Sequence, residues 1–383
     1  MVPGTTVFGM RSLRQVVAQL KGDEVPDAPP VASSTGASLL SWRGSDRHDE
    51  VDMSDLIGMA DARYAAEVAA AGGHHLLLQG PKGSGKTTLA ERIPTILPDL
   101  DAEESLELTA IHSLAGVLDP SRGMLRRPPY AAPHHDASKA SIVGGGSGQV
   151  RPGELSRSHC GVLLLDEFPL FRADVIEALR EPLENGEITV ARAEELVTLP
   201  ARGMVVLAAN PCPCGEFRAH AGANRCSCRD TVRRDYRRKV TGPVTDRIDI
   251  TRQVDPVRPH ERRDPLAVRE TSADVRVRVT AARRRQAERY RGCTWRLNSQ
   301  VPGAALRERW PLAEDGQGIL DKALYDAAVT SRGAVRVHRL AWTVLDLLPA
   351  ADPERRPGGA EVETALRLRS GHPLLLSALE RGA

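Results

Sequence analysis

The chain has 383 residues, 52 Lys plus Arg against 50 Asp plus Glu, a formal net charge of +2 and 41% hydrophobic residues. This length can hold two or three domains with real cores, and the near balance of charge excludes a global field drawing the chain to nucleic acid or an anionic membrane, so any such binding must come from local patches. No apolar run approaches the ~20 residues of a bilayer span, the start Met1-Val-Pro-Gly-Thr lacks a charged and then apolar leader, and six cysteines are too few for a disulfide scaffold, which together point to a cytoplasmic protein with no membrane partner.

In chain order, Leu13, Val16, Val17 and Leu20 fall at helical spacing, a helix of under three turns with little to pack on by itself. Residues 23–50, rich in Pro, Ser, Gly, Ala and charge, read as a linker. From residue 51 to 256 short apolar runs alternate with amphipathic stretches. Leu76 to Gln79, Val162 to Leu165 and Val205 to Ala208 have the look of strands buried on both faces, so the pattern predicts an α/β fold, a parallel sheet flanked by helices. Beyond 256 the strand signals fade, and residues 275–290, 318–330, 336–348 and 359–369 read as amphipathic helices of a smaller helical domain spanning 257–383.

After the first strand comes Gly80-Pro81-Lys82-Gly83-Ser84-Gly85-Lys86-Thr87-Thr88, which fits G-x-x-x-x-G-K-[ST] between a strand and a helical pattern, the context a phosphate-binding loop requires. Its glycines let backbone N–H groups curl round phosphate oxygens, Lys86 is suited to neutralise the β and γ phosphates of ATP, and the Thr87 hydroxyl to hold Mg²⁺. The strand Gly161-Val-Leu-Leu-Leu ends in Asp166 and Glu167: Asp166 can share the Mg²⁺, and Glu167 can orient or deprotonate the attacking water. A third strand, from Met204, ends in Asn210, a sensor able to hydrogen-bond the γ-phosphate or the lytic water, or simply the start of a turn before Pro211. Arg247, flanked by Asp246 and Asp249, suits a finger reaching a neighbouring subunit's γ-phosphate, with a surface ion pair as the other reading.

Other features leave alternatives open. His134 and His135 lie in a Pro-bounded turn with no acidic partner at ligand spacing, which favours a structural role. Ser141 to Arg151 is a glycine-rich loop. Residues 188–192 and 196–199 flank Ala193-Glu194-Glu195 as a hairpin. Cys212, Cys214, Cys226 and Cys228 form C-x-C, eleven residues, C-x-C, able to close a tetrahedral Zn²⁺ site or to stay reduced structural thiols; Cys160 and Cys293 are isolated. Basic clusters at Arg233 to Lys239 and Arg283 to Arg291 either neutralise phosphates or form a solvated face.

These elements in this order resemble the AAA+ ATPases. The match narrows to the magnesium-chelatase-like YifB/ComM family on Ala70-Ala-Gly-Gly-His-His, Ala110-Ile-His-Ser-Leu-Ala-Gly, Arg127-Pro-Pro-Tyr-Ala-Ala-Pro-His-His, Val143-Gly-Gly-Gly-Ser-Gly, Arg151-Pro-Gly-Glu-Leu, Glu177-Ala-Leu-Arg-Glu-Pro-Leu-Glu and Asn210-Pro-Cys-Pro-Cys-Gly. The resemblance implies a homo-oligomeric, hexameric ring with a helical C-terminal lid. One branch is similar to branch-migration helicases that move heteroduplex DNA, whereas the chelatase cousins drive metal insertion into porphyrin. It also implies that the hairpin faces the central pore, that the glycine loop matches the helix 2 insertion of the chelatase clade, and that the sensor 2 arginine is Arg336 with Arg339 as rival. Two departures stand out. The family begins with a Lon-protease-like domain of which only an apparent tail, from Met10 to Leu20, is present in residues 1–50, and Trp342 stands where a basic residue is usual. The leading expectation is therefore an Mg²⁺-dependent ATPase motor on DNA, and the alternative a chelatase-type or chaperone-like remodeller of a protein partner. A regulatory nucleotide-binding subunit that hydrolyses poorly is the third.

Overall fold

Leu76-Leu-Leu offers no polar residue to either face of a sheet, and such a run is stable only where both faces are covered. In a computed structural model describing residues 10, 12–26, 51–119, 123–145, 150–192, 195–217, 224–257, 269–349 and 354–374, it forms β1 (Leu76–Gln79). Five strands make the sheet, in the order β2 (Tyr130–Ala131), β5 (Val162–Leu165), β8 (Met204–Ala209), β1, β9 (Ile250–Gln253). All neighbours run parallel, with Leu76 facing Val206 on one side and Ile250 on the other. Every residue of β5 and β8 is buried. Two small antiparallel pairs lie apart, β3 (Gly144–Gly145) with β4 (Arg151–Pro152) and β6 (Glu187–Arg192) with β7 (Glu195–Pro200).

The helices among the described residues are α1 (Leu13–Lys21), α2 (Ala60–Gly72), α3 (Lys86–Ala90), α4 (Ile93–Ile96), α5 (Ala102–Leu114), α6 (Lys139–Val143), α7 (Glu154–Arg157), α8 (Ala173–Ala178), α9 (Arg180–Asn185), α10 (Asp230–Val240), α11 (Ser272–Arg289), α12 (Gly303–Arg309), α13 (Glu314–Tyr325), α14 (Ser331–Leu347) and α15 (Gly359–Ser370). Because strand side chains alternate between faces, Leu76, Leu78, Leu164, Val206 and Ala208 enter one core, while Leu77, Leu163, Leu165, Val205 and Leu207 enter another with Val175 of α8 and Leu183 of α9.

The C-terminal helices do not keep a large core apart. Val279 and Ala282 of α11, Leu320 of α13, Val337, Leu340 and Val344 of α14, and Val362 and Leu368 of α15 join the cluster of Leu76 and Leu78. In α2, Ala65, Ala66, Ala69, Ala70 and Ala71 are wholly buried, and their small side chains let α11 and α14 approach closely. A third, smaller cluster gathers Tyr290, Val301, Leu306, Trp342 and Leu345. The break near residue 256 is thus one of secondary-structure type more than of packing.

Boundaries moved where caps rule. Helix α13 begins at Glu314, not 318, with Glu314 and Asp315 in its first turn, a placement the helix dipole favours; it ends at Tyr325, before Ala327 turns left-handed at φ 53°. Helix α14 begins five residues before the expected 336 because the Thr330 side chain accepts the Gly333 N–H as an N-cap. In α1 the stripe of Leu13, Val16, Val17 and Leu20 is exposed, and Gln15 and Ala18 are the buried positions. Most of the expected linker, residues 27–50, residues 146–149 of the glycine loop and the hairpin tip at 193–194 lie outside the described residues. Among the described residues no helix is long and apolar enough to cross a membrane.

Candidate active site

Strands β1, β8 and β5 are adjacent and parallel, so the residues following each emerge side by side. After β1, the Gly80 N–H donates to the Ala209 carbonyl of β8 (3.2 Å), and a Cβ on Gly80 would stand 2.1 Å from the Val254 carbonyl oxygen. Only glycine fits there. Gly83 and Gly85 take left-handed φ values of +75° and +91°, which lets the loop turn into α3. Ser84 is buried, whereas Lys82 and Thr88 are exposed and Pro81 half-buried.

Lys86 is buried, and its Nζ donates to the carbonyls of Gly80 (2.9 Å) and Pro81 (2.9 Å) and to Asn210 Oδ1 (3.1 Å). Burial pushes its pKa down, opposed by Asp166 and Glu167. The Thr87 hydroxyl donates to Asp166 Oδ2 (2.7 Å), and the other Asp166 oxygen accepts the Glu167 N–H (2.8 Å). The chemistry fits an Mg²⁺–nucleotide: an ammonium held by neutral oxygens has its charge left for an anion, and a hydroxyl beside a carboxylate is the hard-oxygen donor pair that Mg²⁺ takes. Glu167 has φ +51°, a left-handed conformation in a non-glycine residue of the kind that clusters at functional sites.

The histidine pair departs from expectation. Acidic partners do flank it: His134 Nδ1 lies 3.3 Å from Asp136, His135 Nε2 3.6 Å from the same carboxylate, and His135 Nδ1 3.9 Å from Glu167 Oε2. Asp136 was visible in the sequence. The approach to Glu167 depends on β2 pairing with β5, Tyr130 opposite Val162, which no local pattern announces.

A second charged group lies at the other edge of the sheet, where β1, β8 and β9 begin. Arg247 precedes β9; its Nη2 is 2.9 Å from Glu184 Oε2, and its Nη1 donates to the Pro243 carbonyl (2.9 Å). Its partner is thus Glu184 and neither Asp246 nor Asp249. Arg332, in the first turn of α14, reaches the other Glu184 oxygen (3.3 Å) and Asp246 (3.7 Å). Arg336 is only 5% exposed and pairs with wholly buried Asp249. Burial works against the Asp249 carboxylate, yet Arg336 and His74 hold it well below the usual range. Asp249 also accepts the His75 N–H (3.0 Å), and burial pushes His75 down to about 4. Arg339 is bonded to the Val301 carbonyl (2.8 Å). Neither Arg336 nor Arg339 faces the phosphate loop of its own chain, which lies at the far end of β1. Sequence reasoning did not single out Arg332, whose side chain is 45% exposed.

Cys212, Cys214, Cys226 and Cys228 come together, their sulfurs all within 4.8 Å of one another. Burial pushes the isolated Cys160 thiol up to about 12, which keeps it unreactive. Of the basic clusters, the second is divided: Arg284 and Arg291 are exposed, whereas Arg283, Arg285 and Arg289 are turned inward. Arg283 donates to the Ala70 carbonyl (2.7 Å), Arg285 to the Leu348 carbonyl (2.9 Å), and Arg289 pairs with Asp346 (2.9 Å) while stacking on Trp342 (4.2 Å), so they tie α11 to α2 and to the end of α14. In the first cluster Arg233 pairs with Asp230 and stacks on Phe217 (4.4 Å), and Lys239 donates to the Pro169 carbonyl (2.8 Å). Arg234, Arg237 and Arg238 are exposed on α10.

Comparison with known proteins gives the same picture from outside. Residues 52–262 match the family model of magnesium chelatase, subunit ChlI, and residues 269–369 that of the ChlI C-terminal region. The chain is 42% identical over 370 residues to an uncharacterized protein of Mycobacterium tuberculosis (strain ATCC 25618 / H37Rv), covering 96% of this chain and 69% of that protein. It is 36% identical over 335 residues to the uncharacterized protein YifB of Escherichia coli (strain K12), covering 88% and 62%. With the competence protein ComM of Haemophilus influenzae it shares 34% over 348 residues, covering 91% and 65%.

Proposed function

The chain belongs to the magnesium chelatase ChlI family as a YifB/ComM-like member, and we propose that it is a cytoplasmic, Mg²⁺-dependent AAA+ ATPase that works as a hexameric ring and acts as a motor on DNA. The observation that carries the ATPase reading is the convergence of two hydrogen-bonded pairs, Lys86 with Asn210 and Thr87 with Asp166, at the ends of three adjacent strands. In this reading Gly80, Pro81, Lys82, Gly83, Ser84, Gly85 and Thr88 shape the loop, and Lys86 exchanges its carbonyl partners for phosphate oxygens. Thr87 and Asp166 hold the metal, which when bound neutralises charge on the β and γ oxygens. Glu167 takes the proton of the attacking water or orients it, with His135 beside it, and Asn210 senses the γ-phosphate.

Residues 51–256 are assigned as the catalytic core, and the helices of 257–383 as the region that brings Arg332. Arg247 and Arg332 share one carboxylate at the edge opposite their own phosphate loop, an arrangement suited to a nucleotide held by the next subunit; Arg336 is replaced by Arg332 in this role. Support for DNA comes from the family branch and from the exposed Arg234, Arg237 and Arg238 of α10. Exposed Leu196 on the β6–β7 hairpin favours a protein partner as the second reading.

The test is steady-state ATP hydrolysis with Mg²⁺ across a panel of single-stranded, duplex and branched DNA. Stimulation that weakens as salt rises is expected, since phosphate contacts release counterions. Turnover indifferent to every DNA form would select the protein remodeller, and no turnover at all would reject the ATPase.

A further inference from the structure

The turn after β8 and the segment leading into α10 bring four cysteines to one point, and the ATPase reading uses none of them. Cys212 and Cys214 come from the first segment, Cys226 and Cys228 from the second. Cys212 Sγ lies 3.3 Å from Cys214 Sγ and 3.6 Å from Cys226 Sγ, and Cys214 Sγ lies 3.6 Å from Cys226 Sγ. A tetrahedral zinc with Zn–S bonds of about 2.3 Å sets its sulfurs about 3.8 Å apart, whereas a disulfide requires about 2.05 Å. The spacing is that of ligands round a common centre, and all four are free thiols. Backbone N–H groups also aim at the sulfurs: that of Phe217 donates to Cys212, that of Glu216 to Cys214 and that of Cys214 to Cys228. Such donors orient and stabilise thiolates round a metal. Cys212 is buried and the other three half-buried.

We propose that Cys212, Cys214, Cys226 and Cys228 form a structural zinc tetrathiolate that fixes the Asn210 turn to α10 and, through it, the phosphate loop. Four sulfurs close the coordination sphere and leave no position for a water, so the site braces the fold and performs no hydrolysis. Binding releases the thiol protons to solvent, and affinity falls in acid. The route to the nucleotide is short. The Gly215 carbonyl, one residue from Cys214, accepts the Lys82 N–H of the phosphate loop (3.4 Å). Asn210, two residues before Cys212, accepts from Lys86 Nζ (3.1 Å), and the Tyr236 hydroxyl of α10 hydrogen-bonds the Asn210 backbone. Phe217, stacked under Arg233 and Arg237 at 4.4 and 5.0 Å, adds an apolar wedge between turn and helix. The coupling half of this inference rests on the ATPase reading; the metal half does not.

The experiment measures metal and nucleotide separately on the full chain. Elemental analysis of protein purified without chelator should give about one Zn²⁺ per chain, and the Cys226→Ser/Cys228→Ser variant should lose it. Should that variant fail to fold, Co²⁺ added to the reduced, metal-stripped wild-type protein should give the visible absorption of a tetrahedral tetrathiolate. No metal in the wild type together with no such Co²⁺ spectrum overturns the site, and so does iron in place of zinc or zinc kept by the double variant. Stripping the zinc with a mercurial and a chelator, then removing the mercurial with excess thiol, should weaken binding of a fluorescent ATP analogue by about tenfold or more, restored by Zn²⁺. Unchanged binding overturns the coupling while leaving the metal count to stand alone, and wild-type protein that holds zinc but never binds nucleotide rejects the ATPase reading instead.

Discussion

Replacing Arg247 with Ala tests the ring most directly. The Arg247 side chain cannot serve its own phosphate loop: β9, which begins after it, runs the four residues Ile250–Gln253, at least about 13 Å at 3.3 Å per residue, more than an arginine side chain spans. The structural cost of its removal is small. Glu184 is 42% exposed on its side chain and keeps Arg332 at 3.3 Å, so the lost pair is worth about 1 kcal/mol or less. A finger supplied in trans is worth about 10³-fold or more in rate, about 4 kcal/mol of barrier. Arg247→Ala should therefore melt near the wild-type temperature, bind ATP normally and hydrolyse it at least about 10³-fold more slowly. Mixing it with Lys86→Ala, whose pocket is dead but whose finger is intact, restores productive interfaces. In a randomly mixed equimolar ring roughly a quarter of the head-to-tail contacts pair an intact pocket with an intact finger. Turnover of the mixture should rise toward that fraction, read with size-exclusion proof of co-assembly. Co-assembled mixtures that stay as slow as either parent refute the trans assignment.

Glu167→Gln should retain ATP binding while turnover falls by about 10²-fold or more, and Lys86→Ala should lose binding itself; an isothermal titration and a phosphate-release assay separate the two, and a Gln variant with the wild-type rate removes Glu167 from the chemistry. Arg332→Ala and Arg336→Ala should part ways: the first slows hydrolysis with the melting temperature held, whereas the second strands Asp249 as a buried charge and costs about 3–5 kcal/mol. A stable, inactive Arg336→Ala protein would reverse that assignment. The pH profile of stability has a definite sign. His75 is half-buried and its desolvation pushes its pKa down to about 4, so between the unfolded value of about 6.5 and that figure the unfolded chain binds a proton that the folded chain refuses, and stability falls as pH drops through this window by up to about 3 kcal/mol. Thermal melts at stepped pH should show the decline, and His75→Asn, though less stable, should show a flatter one; equal slopes in the two proteins would exonerate His75.

The local sequence determined the sheet and which side chains stand at its strand ends. Runs such as Val162 to Leu165 have no polar residue for either face, so they can only be covered strands, and the tight loop after β1 announces itself by glycine spacing. Asp166, Glu167 and Asn210 were legible because each follows such a strand directly. Side-chain partnership across the chain was not legible. Arg332 and Arg336 stand four residues apart on one helix and are equivalent by periodicity; which one is buried was decided by Asp249 beneath α14, and which stays exposed by Glu184. His135 meets Glu167 through the pairing of β2 with β5, and Arg283 and Arg289 of α11 read as part of a charge run until Ala70 and Asp346 are seen to hold them. Likewise the C-terminal helices read as a separate domain, yet they pack on the alanines of α2 and share the core of β1. The division has one physical cause: backbone conformation and burial on both faces are set by neighbours in sequence, whereas a long charged side chain takes its partner from whatever the packed elements bring within a few ångströms.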